Sequence, residues 1–369
     1  MRHMRTLEQK LSRRGWLAGS LAAVLSPTSA AAQPQPIRLP RKVRLGLIGL
    51  DGHTGELIQP LPQLPDVELV AVADPKPDAL AAFARRRGME KVRRYADYRE
   101  MLAKEELDLA GICNPNNERA QAVLDAIERG LHVVAEKPLA LTLEDLDRIR
   151  KALQAKRVRL TILLPMRFDS PYLAMKAVVE SGEVGEILQI AAQKSYKAGE
   201  RPEWMKRQES FGGTIPWIGI HMIDLMRWTS GREFKEVYSI AAHIDFPEIG
   251  EMENVTASLF RLDNGGAAVL RMDYLRPETA PTHGDDRLRL AGTRGIVEYQ
   301  AATGVTVMTR TQAPRRIEPL PPKQWLFVDF LESVYLGKPH SLSLEDIWRV
   351  NEITLLAHQS AVERRVIQL

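Results

Sequence analysis

Two short segments of this chain carry side chains that can move protons. The first is Glu136-Lys137-Pro138, which follows the strand-like run His132 to Ala135. A lysine there can donate to a hydroxyl, and it joins a proton relay once burial and a neighbouring cation lower its pKa. Pro138 fixes the turn and is a candidate for a cis bond. The second segment runs from Phe211 to Asp224 and contains Gly212-Gly213, Pro216-Trp217 and His221. Past Pro216 its pattern suits a helix, which sets His221 and Asp224 on one face at i, i+3. Histidine titrates near neutrality and is a ready acid/base, and Asp224 is placed to orient it. The alternatives are a solvated loop lysine and a core histidine capped by its carboxylate neighbour. Joining His221 and Asp224 to His243 or His283 matches no metal-ligand spacing, so no metal is expected.

These groups need a scaffold, and the first part of the chain supplies one. Strand-like runs at Lys42 to Leu50, Val67 to Ala73, Lys91 to Tyr95, Leu107 to Asn114 and His132 to Ala135 alternate with helical patterns. The helices are expected from the Gly turn to about Leu64, then over Asp78 to Gly88, Tyr98 to Lys104 and Asn117 to Gly130. That alternation demands a parallel sheet with helices on its faces, and ligands bind at the carboxyl edge of such a sheet. After the first strand comes Gly49-x-x-Gly52-x-x-Gly55, one residue looser at its front than the usual dinucleotide turn. Glycines let the backbone turn tightly and approach a pyrophosphate, whose charge is held by N–H groups at the helix start. Asp74, ending the second strand, suits the adenosine ribose hydroxyls and favours NAD. Lys76 nearby keeps NADP open.

The 369 residues suit two domains. A hydrophobic content of 44% and a charged content of 27% are those of an ordinary globular chain. The net charge of +4 is small and no basic stripe interleaves with aromatics, so nucleic acid is not an expected partner. Cys113 is the sole cysteine, which leaves no internal disulfide and no CxxC site. Arg2, Arg5, Lys10, Arg13 and Arg14 precede an apolar run from Trp16 to Leu25, too short to span a bilayer, and then Ala30-Ala31-Ala32. Residues 1–32 therefore read as a twin-arginine signal peptide, implying passage through the twin-arginine translocase to the periplasm. Residues 33–41 read as a linker, with Gln33-Pro34-Gln35-Pro36 an extended tether. Residues 42–155 are the expected nucleotide domain and 156–369 the substrate domain. A nicotinamide enzyme outside the cytoplasm meets no soluble cofactor pool, so the cofactor should be loaded before export and held tightly.

The Gly loop, Asp74, Pro115-Asn116 and Gly130-Leu-His-Val-Val-Ala-Glu136-Lys137-Pro138 stand in one order with Arg167-Phe168, Ser181-Gly-Glu-Val-Gly185-Glu-Ile187, Gly212-Gly213, Gly219-x-His221-x-x-Asp224 and Gly292-Thr-Arg-Gly295. Together they resemble the glucose–fructose oxidoreductase/inositol dehydrogenase family (Gfo/Idh/MocA). The resemblance implies an α/β Rossmann domain followed by an α+β domain on a large, open, mostly antiparallel sheet. The outer face of that sheet commonly forms the oligomer interface, so a homo-oligomer is expected. It implies a sugar, polyol or sugar-derivative substrate between the domains. Lys137 corresponds to the lysine of the family's glutamate–lysine–proline motif and His221 to its acid/base histidine. The residues expected at the cofactor are Gly49, Gly52, His53, Thr54, Gly55, Asp74, Asn114, Asn116, Glu136 and Lys137. Those expected at the substrate are Arg167, Tyr196, Trp204 and Trp217. Three departures stand out: Trp217 replaces an aspartate common four residues before the histidine, Arg119 replaces a histidine after Asn116, and the Gly loop is stretched. Trp217 could stack on a sugar face. The expected function is an exported NAD(P)-dependent oxidoreductase acting on CH–OH groups, with its cofactor recycled on the enzyme. The alternatives are redox-neutral glycoside cleavage by transient oxidation and elimination, and a dinucleotide- or sugar-binding protein without turnover.

Overall fold

The computed structural model describes residues 36–369. The twin-arginine segment lies outside the described residues. The first sheet is built from β1 (Val43–Ile48), β2 (Val67–Ala73), β3 (Arg93–Tyr95), β4 (Leu109–Ile112), β5 (His132–Ala135) and β6 (Leu160–Ile162). Its order is β3-β2-β1-β4-β5-β6 and every pair is parallel. Between the strands run α1 (Thr54–Ile58), α2 (Pro77–Ala84), α3 (Tyr98–Lys104), α4 (Asn116–Glu128) and α5 (Leu143–Gln154). β1 and β4 lie inside the sheet with both faces covered, which is why Val43, Leu45, Leu47, Leu109, Ala110 and Ile112 are all buried and Arg44 alone interrupts their apolar runs.

Three expectations change. The helix after the Gly turn stops at Ile58 rather than Leu64, because Pro60 and Pro62 cannot continue it; Leu61–Gln63 form a single tight turn instead. The sheet takes in β6, so the first domain runs past the expected boundary between 155 and 156. The end of the linker beyond Pro36 is anchored to the first domain: Ile37 N–H donates to Gln63 O (2.9 Å), Leu39 N–H to Asp66 Oδ2 (3.2 Å), and Leu39 is buried.

The rest of the chain is α6 (Ser170–Glu180), β7 (Ile187–Tyr196), α7 (Gln208–Phe211), α8 (Ile220–Ser230), β8 (Phe234–Ala242), β9 (Val255–Leu262), β10 (Ala267–Asp273), β11 (Gly284–Gly292), β12 (Gly295–Gln300), β13 (Gly304–Thr309), β14 (Arg315–Arg316), α9 (Leu326–Leu336), α10 (Leu344–Glu363) and β15 (Ile367–Gln368). Nine strands form one sheet in the order β14-β13-β12-β11-β7-β10-β9-β8-β15, in which β7 and β10 are the parallel pair. β9 alternates strictly: Thr256, Ser258, Phe260 and Leu262 point in, Leu259 points out. Helices α6, α8 and α10 cover the inner face. The outer face stays open and exposes Leu188, Tyr238, Ile240, Leu259 and Val269.

Candidate active site

Lys137 leaves the carboxyl end of β5 and is only 1% exposed. The Lys137–Pro138 bond is cis. The segment before α8, Ile215–Gly219, is wound as a wide π-turn. Its Trp217 carbonyl accepts from Lys137 Nζ at 2.7 Å, and the Trp217 ring covers the same ammonium with its centroid 3.4 Å away. Burial pulls the Lys137 pKa down; Glu136 works against this, Arg119 and Lys194 work with it, and the result is about 7. Burial alone would raise the Glu136 carboxyl, but His53, Lys137 and Arg119 outweigh it and hold it at about 2. His221 opens α8 and is 5% exposed. Burial first, then Lys137, Lys194 and His53, push its pKa well below the ordinary value, so it is a neutral imidazole at neutral pH. Its Nδ1 has no partner. A neutral imidazole beside a near-neutral lysine can accept a hydroxyl proton.

Asp224 does not orient His221. It takes Arg167 as a bidentate partner, with Nε to Oδ2 at 2.7 Å and Nη2 to Oδ1 at 2.5 Å. Arg167 also reaches Asp346 (3.0 Å) and Ser341 O (3.2 Å), and is itself buried. A buried carboxylate needs a full positive charge opposite it, which a neutral imidazole cannot provide. Arg167 is therefore a brace in the core and not a substrate contact.

Trp217 is 9% exposed. With Lys137 over its face, Trp204 at its edge (5.6 Å between centroids) and Phe211 beside it (6.3 Å), it caps the lysine rather than offering a platform for a sugar. Trp204 Nε1 donates to Asp51 Oδ2 (3.1 Å) and so links the second domain to the Gly loop. Lys76 Nζ pairs with the same Asp51 carboxylate.

Two hollows flank that loop. On one side a cleft of about 340 Å³ is lined by Gly49, Asp51, Asp74, Lys76 and Asn114. On the other a cavity of about 570 Å³ is lined by His53, His221, Tyr196, His283, Asp286, Asp169, Lys323, Tyr172 and Tyr299. The cleft fits a dinucleotide. Both polar atoms of the buried Asn114 side chain lack a partner and await one. A Cβ on Gly49 (φ +79°) would stand 2.5 Å from the Asn114 backbone, and one on Gly52 (φ +63°) 2.3 Å from Glu136 Oε1. The Asp74 carboxylate accepts from Leu50 N–H (2.9 Å) and Lys76 N–H (2.8 Å), which fixes it against the loop. Thr54 and Gly55 begin α1 directly after the loop. Asn116 is diverted: it is fully buried and its Nδ2 donates to Phe211 O (2.7 Å), tying α4 to α7.

The sequence registered Arg119 only as a departure. In the fold it is fully buried and donates to Asn114 O (2.6 Å) and Pro138 O (2.8 Å), bracing the loops after β4 and β5 against each other. Lys194 and Asp286 were not singled out at all. Lys194 is fully buried and bonds Asp286 Oδ2 at 2.8 Å, leaving Asp286 Oδ1 unpartnered, as is Tyr172 Oη. The inward alternation of β7 was the available signal for Lys194. Among the described residues, no three His, Cys, Asp or Glu side chains gather as a metal site.

Comparison with known proteins agrees with this geometry. A family model described as an oxidoreductase family with an NAD-binding Rossmann fold matches residues 43–163, and one described as the GFO/IDH/MocA C-terminal domain matches residues 172–298. Myo-inositol 2-dehydrogenase of Thermotoga maritima is 26% identical over 89% of this chain and 98% of its own. D-glucoside 3-dehydrogenase of Escherichia coli is 31% identical over 51% of this chain and 53% of its own. A solved structure of an oxidoreductase-like protein from Thermotoga maritima superposes with a TM-score of 0.84 at 35% identity, covering 89% of this chain and all of that one. The chain belongs to the Gfo/Idh/MocA family and is an oxidoreductase with an NAD-binding Rossmann fold.

Proposed function

We propose that this enzyme oxidises a CH–OH group of a sugar or polyol with NAD as hydride acceptor. The observation that carries the reading is the pairing of Lys137 and His221, both buried and each with its pKa lowered by burial, beside a polar cavity and next to a cleft that suits a dinucleotide. Bound NAD supplies the hydride acceptor. His221 takes the hydroxyl proton, and Lys137, fixed by the Trp217 carbonyl, holds the hydroxyl. Unpartnered Asp286 Oδ1 and Tyr172 Oη suit the remaining hydroxyls of a polyhydroxylated ring. The inositol and glucoside dehydrogenases among its relatives support this substrate class. The fixed Asp74 carboxylate opposes a 2′-phosphate and favours NAD over NADP. The test is the absorbance of reduced nicotinamide with a panel of inositols, free aldoses and glucosides, each with NAD and with NADP; a panel that yields no reduction with either dinucleotide refutes the reading.

The basic, apolar and Ala-x-Ala order of residues 1–32 supports a periplasmic enzyme that passes the twin-arginine translocase with NAD already bound. Trp204, reaching from the second domain to Asp51 in the Gly loop, supports a tightly retained cofactor that is recycled on the enzyme. Stoichiometric dinucleotide released by denaturing protein from the periplasmic fraction is the expected result, and empty protein there is the contrary one. The open sheet face holds a shallow apolar hollow of about 560 Å³ over Tyr238, Ile240, Leu259 and Val269, which supports a homo-oligomer closed on that face. Light scattering on Ile240→Asp against the parent protein reads this out.

A further inference from the structure

We propose that His53, held by Glu136, is a second acid/base group of this site and passes the substrate proton from His221 to solvent. The inference rests on the dehydrogenase reading above. His221 is 5% exposed and faces the cavity that a bound substrate fills, so a proton delivered to it during turnover needs a route past the substrate to water. The neighbouring ring is His53, edge-on with centroids 5.4 Å apart. Its side chain is 36% exposed and lines the same cavity. His53 thus stands between the buried base and the outside.

The loop is built to hold that ring. Glu136 Oε1 accepts from the His53 backbone N–H at 2.7 Å and also meets His53 Nδ1. Gly52 makes this approach possible, since a Cβ there would fall on the same carboxylate oxygen. Glu136 is buried and stays ionised, so it accepts from Nδ1–H and leaves Nε2 as the working nitrogen. The charged and titratable groups around His53 are Glu136, His221, Lys137 beyond Glu136, and Glu56 on α1 with its partner Lys323. In the reaction the substrate C–H bond breaks and its electron pair leaves as hydride to NAD. The O–H bond breaks and its proton passes to His221, then through one bridging water to His53 Nε2, then to bulk water. One two-electron oxidation yields reduced nicotinamide and one solvent proton.

The test uses the full chain and the variants His53→Gln, His53→Ala and Glu136→Gln. Nitrogen NMR of histidine-labelled protein reads the His53 tautomer without any turnover: Nδ1–H is expected in the parent and is expected to be lost in Glu136→Gln. In turnover, His53→Gln should lower kcat about 10²-fold while NADH affinity is unchanged. Added imidazole should restore much of the rate in His53→Ala, because the vacated position opens to solvent. An Nε2–H tautomer in the parent overturns the inference. So does a weakened NADH affinity with kcat unchanged, which would make His53 a cofactor anchor. If the parent protein oxidises no sugar or polyol, the dehydrogenase reading falls and the relay with it, while the tautomer still decides whether Glu136 holds the ring.

Discussion

Replacing Lys137 by methionine should change how the stability of this protein depends on pH. In the unfolded chain Lys137 titrates near the ordinary value of 10.5, and in the fold at about 7. Between these two values the unfolded state binds one more proton than the native state, so native stability rises with pH there. The residue's penalty is complete below its folded pKa and vanishes above its unfolded one. Each pH unit inside the window is worth about 1.4 kcal/mol. From about pH 7.5 to about pH 9.5 the parent protein should gain about 2.5 kcal/mol relative to Lys137→Met. Urea unfolding followed by tryptophan fluorescence, run on both proteins at both pH values, gives this double difference. Titrations elsewhere in the chain act equally on the two proteins and cancel. Parallel pH–stability curves would mean that Lys137 keeps an ordinary pKa in the fold. Burial against Trp217, Arg119 and Lys194 would then not be what sets its protonation.

Three further outcomes follow from the geometry. Asp224→Asn strips Arg167 of its bidentate partner and should cost about 3–5 kcal/mol in urea unfolding, with kcat of the folded protein within a few-fold of the parent; a large loss of kcat at unchanged stability would return Asp224 to the side of His221. Gly52→Ala forces a left-handed backbone and a contact with Glu136, and should weaken NADH binding about tenfold in a fluorescence titration; an unchanged Kd would remove this loop from the cofactor. Trp204→Phe keeps the ring against Trp217 but loses the N–H to Asp51. It should speed NADH dissociation about tenfold, the value of one hydrogen bond to a charged group; equal off-rates in stopped flow would separate the indole from cofactor retention.

The parallel domain was legible because its signals are local. Val67–Ala73, Tyr98–Lys104 and His132–Ala135 fall where the apolar runs and breakers place them. The Gly loop was legible for the same reason, since its glycines sit between a strand and a helix. What the sequence hid were partners brought together by topology. Helical spacing puts His221 and Asp224 on one side of α8, yet it carries no information on what lies across from them. The answer was Arg167, 57 residues earlier in the chain and fully charged. His53 and Glu136 are 83 residues apart and meet because the strand order sets the loops after β1 and β5 at the same carboxyl edge. Arg119 was visible only as an unexpected residue type, because its two acceptors are backbone carbonyls, which leave no trace in a sequence.

Trp217 turns the same point into chemistry. An aspartate beside Lys137 would favour the ammonium and raise its pKa, by roughly 1–3 units for an opposite charge at close range. A carbonyl oxygen and an aromatic face also hold an ammonium, but with partial charges in place of a full one. The hydrogen bond from Lys137 goes to the main chain of the π-turn, so the residue type at position 217 is free to vary without releasing the lysine. The indole then adds what a carboxylate cannot: it excludes water from Nζ, which strengthens the desolvation that lowers the pKa. Losing the aspartate therefore does not argue against catalysis in this chain. It moves Lys137 from a fixed cation to a group that changes protonation near neutral pH, next to a histidine that is already neutral.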